Sequence, residues 1–155
     1  MMPNHWNTPQ YTVSSQESLA KPKFEGEKIM SLRKTSEPWF TYTNFPCYVS
    51  QTYFVIKPVN INVKVLIAIL NSNVIHFWLR NKGKKQGNLL QVDKAQLLAL
   101  PIKFPNASDD PEINTLIIKS IDLIVESTKK LNEAESEPQR TLLTQRIKTE
   151  SRKLN

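Results

Sequence analysis

A chain of 155 residues, 39% apolar and 23% charged, is long enough to bury one core but short for a two-domain enzyme, and its composition excludes both a membrane protein and a wholly disordered one. Its net charge of +7 is unevenly distributed: residues 21–103 hold thirteen Lys and Arg against four Asp and Glu, a net of +9, while both flanks are slightly acidic. An excess confined to one segment is the footprint of a polyanion-binding surface, most often for nucleic acid, although a merely solvated basic face has the same composition.

Residues 1–24 carry Pro3, Pro9 and Pro22 among many Ser, Thr, Asn and Gln without an apolar period, and they read as a linker or irregular lead-in. They lack the charged start and apolar run of a signal peptide; with Cys47 as the sole cysteine, a reducing, cytoplasmic setting is expected. Residues 27–34 (EKIMSLRK) alternate as a strand with Ile29 inward and Arg33 and Lys34 at its exit. Residues 35–47 form a turn-rich connection whose Trp39, Phe40, Tyr42 and Phe45 make it too aromatic for a plain surface loop. Residues 48–57 (YVSQTYFVIK), dense in aromatic and β-branched side chains, are the clearest strand.

Asn62 can cap a single helix over residues 63–79, apolar nearly all round except for a stripe at Asn73, His76 and Arg80, and therefore largely buried. Lys64, Asn71, Ser72, Asn73 and His76 interrupt it too often for the roughly 20 apolar residues of a membrane span, so no membrane association is expected. Residues 81–88 (NKGKKQGN) follow as a basic loop, then LLQV as a short strand. Asp93, with Gln96 in the capping-box position, opens a short helix that Pro101 ends. Beyond a proline-bounded connector, Ile113, Ile117, Ile121, Ile124 and Leu131 recur at helical spacing as a long amphipathic helix. Ser136 and Pro138 start another, with a thinner stripe of Leu142, Leu143, Ile147 and Leu154. The two would form a helical hairpin or arm that packs on a partner or supports an oligomer.

No nucleophile elbow, Walker loop, HExxH site or glycine-rich dinucleotide turn occurs. The acids of the basic segment, Glu25, Glu27, Glu37 and Asp93, are not paired at a metal-binding spacing, and His5, His76 and Cys47 cannot make a structural zinc site. His76 lies between apolar residues and reads as a packed or surface histidine. The chain alone is therefore expected to be neither an enzyme nor a metal binder. What remains is a binding surface: Arg80, Lys82, Lys84, Lys85, Gln86 and Asn88 in one strip, and Arg33, Lys34, Thr35 and Tyr42 in a second. These side chains neutralise phosphates or hydrogen-bond base edges.

The order of features is more specific than any one of them. Lys28 and Ile29 with Arg33, then a strand, then LIAILNS (residues 66–72), a variable basic loop and LLALPI (residues 97–102) resemble the C-terminal specificity region of TaqI-like adenine DNA methyltransferases and type IIG restriction-modification enzymes. Type I specificity subunits are similar in layout, closing on an LPIP segment that leads into a long helix. The resemblance implies an α/β (α+β) target-recognition domain with a mixed sheet over residues 25–105, and a C-terminal helical arm over 106–155. It implies double-stranded DNA and a catalytic methyltransferase domain or subunit as partners. The Asn-Pro-Pro-Tyr tetrapeptide that holds the flipped adenine in that family is absent, so S-adenosylmethionine is expected on the catalytic domain and no cofactor on this chain. The motif residues LNS and LPI are expected to serve packing and helix ends, with DNA reading in the loop between them. A subunit-docking module with a solvated basic loop is the alternative; a small nuclease lacks the carboxylates.

Overall fold

The computed structural model describes residues 11–14, 25–102 and 111–155. The chain divides into two compact units, Met1–Phe104 and Pro105–Asn155. In the first, β1 (Tyr11–Ser14), β5 (Tyr53–Pro58), β2 (Lys28–Leu32) and β4 (Phe40–Thr43) lie side by side in that order in one sheet. A second sheet orders β3 (Lys34–Thr35), β7 (Leu89–Gln91) and β6 (Lys84–Gln86). Every described pairing is antiparallel. Three helices complete the unit: α1 (Val63–Leu70), α2 (Asn73–Lys82) and α3 (Lys94–Leu98). The α+β class expected from the sequence is thus observed.

The central strand β5 explains the core. Phe54, Val55 and Ile56 are buried in succession because β5 has a strand on each side and α1 packed against it. Ile56 stands opposite Val13 on β1 and Ile29 on β2, a three-residue apolar row buried almost completely. Leu66 and Leu70 of α1, Leu79 of α2 and Leu97 of α3 are also fully buried, each stabilising the fold by about 1.5–3 kcal/mol. Lys28 is also fully buried; its ammonium donates to the carbonyls of Phe45 at 2.6 Å and Gly26 at 3.2 Å, so a charge of the KI motif serves to fix the loop behind β4.

Four readings of the larger sheet and of the first helix need correction. Residues 1–24 are not all lead-in: Tyr11 and Val13 are buried on the edge strand β1, and the Tyr11 hydroxyl donates to the carbonyl of Leu97. Four residues of alternation are too short to show above a Pro- and Ser-rich background. The connection over residues 35–47 contains β4, whose Phe40 points into the core. The strand expected over residues 48–57 begins only at Tyr53, because Ser50–Thr52 turns, with Tyr53 N–H on the Ser50 carbonyl at 3.1 Å, and leaves Tyr48 80% exposed.

The helix expected over residues 63–79 is two helices bent by 59°. Asn71 caps the end of α1, and its side-chain amide exchanges two hydrogen bonds with the Phe40 backbone, Oδ1 accepting at 3.1 Å and Nδ2 donating at 2.9 Å. Ser72 opens α2, its hydroxyl accepting from Ile75 N–H at 3.4 Å. The LNS motif is therefore a helix break that also pins β4. Past the break burial is one-sided: Val74 and Phe77 are 71% and 69% exposed. Among the described residues no single helix is long and apolar enough to cross a membrane.

The second unit is a helical hairpin, α4 (Pro111–Glu133) and α5 (Glu137–Lys153). Arg140 of α5 donates to the carbonyls of Leu131 and Ala134, satisfying the end of α4. Nearer the other end Glu150 accepts from Ser120 at 3.2 Å and Lys153 at 2.8 Å, and these donors hold its carboxyl below the usual carboxylate range.

Candidate nucleic-acid interface

Arg33 is where the chain passes from one sheet into the other. Its N–H donates to the Thr52 carbonyl at 2.8 Å beside the larger sheet, and its carbonyl accepts from Val92 N–H at 2.9 Å beside the smaller one. The strand read from residues 27–34 therefore continues as β3, carrying Lys34 and Thr35 to the edge of the smaller sheet.

The rest of that sheet is a hairpin, not the loop expected over residues 81–88. Lys84–Gln86 and Leu89–Gln91 pair across the two-residue turn Gly87-Asn88, in which Gly87 has φ +62° and Asn88 a negative φ, the signs of a type II′ turn. Gly83 enters the hairpin under Leu90: a Cβ there would lie 2.3 Å from Leu90 Cδ1 and 2.6 Å from the Leu79 carbonyl oxygen, so only glycine admits that approach. At the base, Gln96 Nε2 donates to the Lys82 carbonyl at 2.7 Å and Gln96 Oε1 accepts from Asp93 N–H at 2.9 Å.

Register sorts the side chains by face. Lys34, Gln91 and Lys84 stand directly opposite one another across the three strands, and so do Thr35, Leu90 and Lys85. Residues opposite each other in an antiparallel sheet share a face, and successive residues alternate. Leu90 is buried, so its row is the inner one and Lys85 lies at the outer margin of that row. The outer face is the Lys34–Gln91–Lys84 row, extended by Gln86 and the partly exposed Leu89. Asp93 sits against this row: its Oδ1 accepts from Gln91 Nε2 at 3.0 Å, and its Oδ2 lies 3.6 Å from Lys84 Nζ.

The structure thus brings Lys34 from one sequence strip together with Lys84 and Gln86 from the other, with Asn88 in the turn. It places Lys85 and Thr35 in the opposite row. Lys82 is exposed at the end of α2, where the chain enters the hairpin. Arg80 is engaged with Glu37 at 2.8 Å, both half exposed, a solvent-screened pair of at most about 1 kcal/mol. The Arg33 guanidinium lies 5.0 Å from the Phe54 ring centroid and donates to the Gln51 carbonyl at 3.2 Å, an arrangement that packs it onto the larger sheet. Tyr42 is on β4 of that sheet, its hydroxyl donating to Glu27 at 2.7 Å.

His76 stands edge-on to Trp39 at 5.8 Å with a buried, unpartnered Nε2. Burial, then the nearby Arg80 charge, push its pKa down against a smaller opposing pull from Glu37. Among the described residues no three His, Cys, Asp or Glu side chains gather as a metal site.

Sequence reasoning missed Gln91 and the second role of Asp93. Both were recoverable: a Gly-Asn pair between KKQ and LLQ is a hairpin signal, and a two-residue turn there fixes Lys84 opposite Gln91.

Residues 3–102, nearly the whole of the first unit, match the family model of the TaqI-like C-terminal specificity domain. No curated protein matches the chain.

Proposed function

The chain belongs to the family of TaqI-like C-terminal specificity domains, a non-catalytic, DNA-recognition part of methyltransferase-type systems, and from that premise we propose that its three-stranded sheet is the surface that reads duplex DNA in a sequence-specific way. The observation that carries the reading is the outer Lys34–Gln91–Lys84 row, which joins two basic strips far apart in the chain on one exposed face. Lysines there would neutralise phosphates and set register, while Gln86 and Asn88 at the hairpin tip reach base edges. Arg80, Lys82 and Lys85 add positive potential around the face, Arg33 and Thr35 flank Lys34 on the strand that enters it, and Tyr42, on the larger sheet, lies outside it.

Methyl transfer would belong to a separate catalytic domain or subunit of a cytoplasmic type II restriction-modification system, which would bind S-adenosylmethionine and carry the adenine-holding motif missing here. The exposed Val74 and Phe77 of α2, together with the helical hairpin, support docking onto that catalytic part. This is also the observation that favours the alternative reading, a docking module whose basic face is only solvated.

Binding of the full chain to a mixed-sequence duplex, followed by fluorescence anisotropy between 50 and 200 mM salt, tests the proposal. Each neutralised phosphate contributes about 0.9 to the slope of log K against log salt, so Lys34→Ala with Lys84→Ala should flatten it by about 1.8. An unchanged slope and affinity in the double variant would remove this face from DNA binding.

A further inference from the structure

We infer that Gln91 is a specificity-determining residue and that the base it reads is adenine, through the major groove; the inference rests on the DNA-reading role proposed above. Gln91 occupies the central strand of the small sheet, with Lys34 and Lys84 directly opposite it on either side. Cross-strand neighbours lie about 5 Å apart, so the three-residue row is about 10 Å across and fits a major groove about 12 Å wide.

The orientation of the Gln91 amide follows from its neighbour. An ionised carboxylate only accepts hydrogen bonds, so the group 3.0 Å from Asp93 Oδ1 must be the amide nitrogen; turned over, the amide would set oxygen against oxygen. Asp93 is itself held in place, by Lys84 Nζ 3.6 Å from its other oxygen and by its own N–H on Gln96 at 2.9 Å. One amide hydrogen of Gln91 is therefore committed. Oε1 and the second hydrogen make no hydrogen bond among the described residues, and Oε1 is not a buried orphan.

An acceptor next to a donor, held at a fixed orientation, selects among bases. Adenine offers the complementary pair in the major groove, the N6 amino donor and the N7 acceptor. Cytosine satisfies only the acceptor half, through its N4 amino group. Guanine presents N7 and O6, and thymine O4, each of which puts an oxygen or a bare acceptor where the Gln91 oxygen needs a donor. A glutamine free to turn over could satisfy guanine with its amide nitrogen; Asp93 denies it that choice. Asp93 is thus the positioning residue and Gln91 the reader.

Selection from a randomised duplex library with the full chain, run in parallel on the unsubstituted protein, Gln91→Ala, Asp93→Asn and the Lys34→Ala, Lys84→Ala double variant, tests this. The unsubstituted chain is expected to enrich a site with at least one adenine position. Gln91→Ala should lose the preference at that position alone, and Asp93→Asn, whose carboxamide can donate as well as accept, should broaden it to include guanine. In the selected site, replacing that adenine by purine, which lacks the amino group, should weaken the unsubstituted chain about tenfold or more and leave Gln91→Ala indifferent.

A Gln91→Ala variant that keeps every base preference overturns the inference, as does one that loses preference for guanine or thymine, or one weakened equally at all positions. In each of those cases the DNA-reading role stands as long as the lysine double variant loses enrichment. Failure of the unsubstituted chain to enrich any site, or full enrichment by the lysine double variant, removes the role and the inference with it.

Discussion

Tyr11 ties the first strand to α3 with a buried hydroxyl on the Leu97 carbonyl, and burial pushes its pKa from the ordinary 10 up to about 12. The folded chain therefore holds this proton more tightly than the unfolded chain does. Its contribution to stability is complete below pH 10 and is lost as the pH rises toward 12. Urea denaturation at pH 9 to 12 should show that decline, and Tyr11→Phe, less stable at pH 9, should show a shallower one. Asn71 is a second residue whose chemistry is local and whose effect is not. Asn71→Ala removes both hydrogen bonds to Phe40 and leaves a partly buried N–H and carbonyl unpaired, which should cost about 1–3 kcal/mol in the same assay. A loss below a few tenths would mean that water takes over both bonds.

Elements show where the sequence was legible and where it was not. The KI strand, the α3 capping box and the two arm helices were readable because the signal is local: alternation, a cap with its glutamine, apolar residues at helical spacing. The break at Asn71 and Ser72 was not read because the apolar pattern runs on through it and the side chains that stop α1 act on a strand distant in sequence. Likewise composition marks the basic segment without showing that it is a hairpin; pairing with Leu89–Gln91 splits Lys84 from Lys85. What no local signal could give is the pairing of β7 with β3, which depends on Arg33 carrying its strand out of the larger sheet. The hairpin itself depends on Gly83. Gly83→Ala would set its Cβ against both Leu90 and the Leu79 carbonyl oxygen and should cost about 1–3 kcal/mol in thermal or chemical denaturation. Because the displaced hairpin carries Lys84 and Gln86, DNA affinity should fall with it; a stable variant with full affinity would contradict the packing argument.

Across the whole molecule, charge and chemistry are separated. Residues 21–103 carry the entire positive excess, a net of +9, and the family match over residues 3–102 spans nearly all of that region, while the helical hairpin beyond it is close to neutral. This division suits a chain in which one part meets a polyanion and another is free to meet protein. Composition and motif order point to DNA, but only strand register locates the surface. Location is accordingly what needs measuring. Lysine acylation of the full chain, read residue by residue by mass spectrometry with and without duplex DNA, tests it most directly. Lys34 and Lys84 should be protected together by DNA and re-exposed at high salt, while Lys129, Lys130 and Lys148 of the hairpin keep their reactivity. Protection confined to the helical hairpin, or equal reactivity of Lys34 and Lys84 with and without bound DNA, would contradict the account.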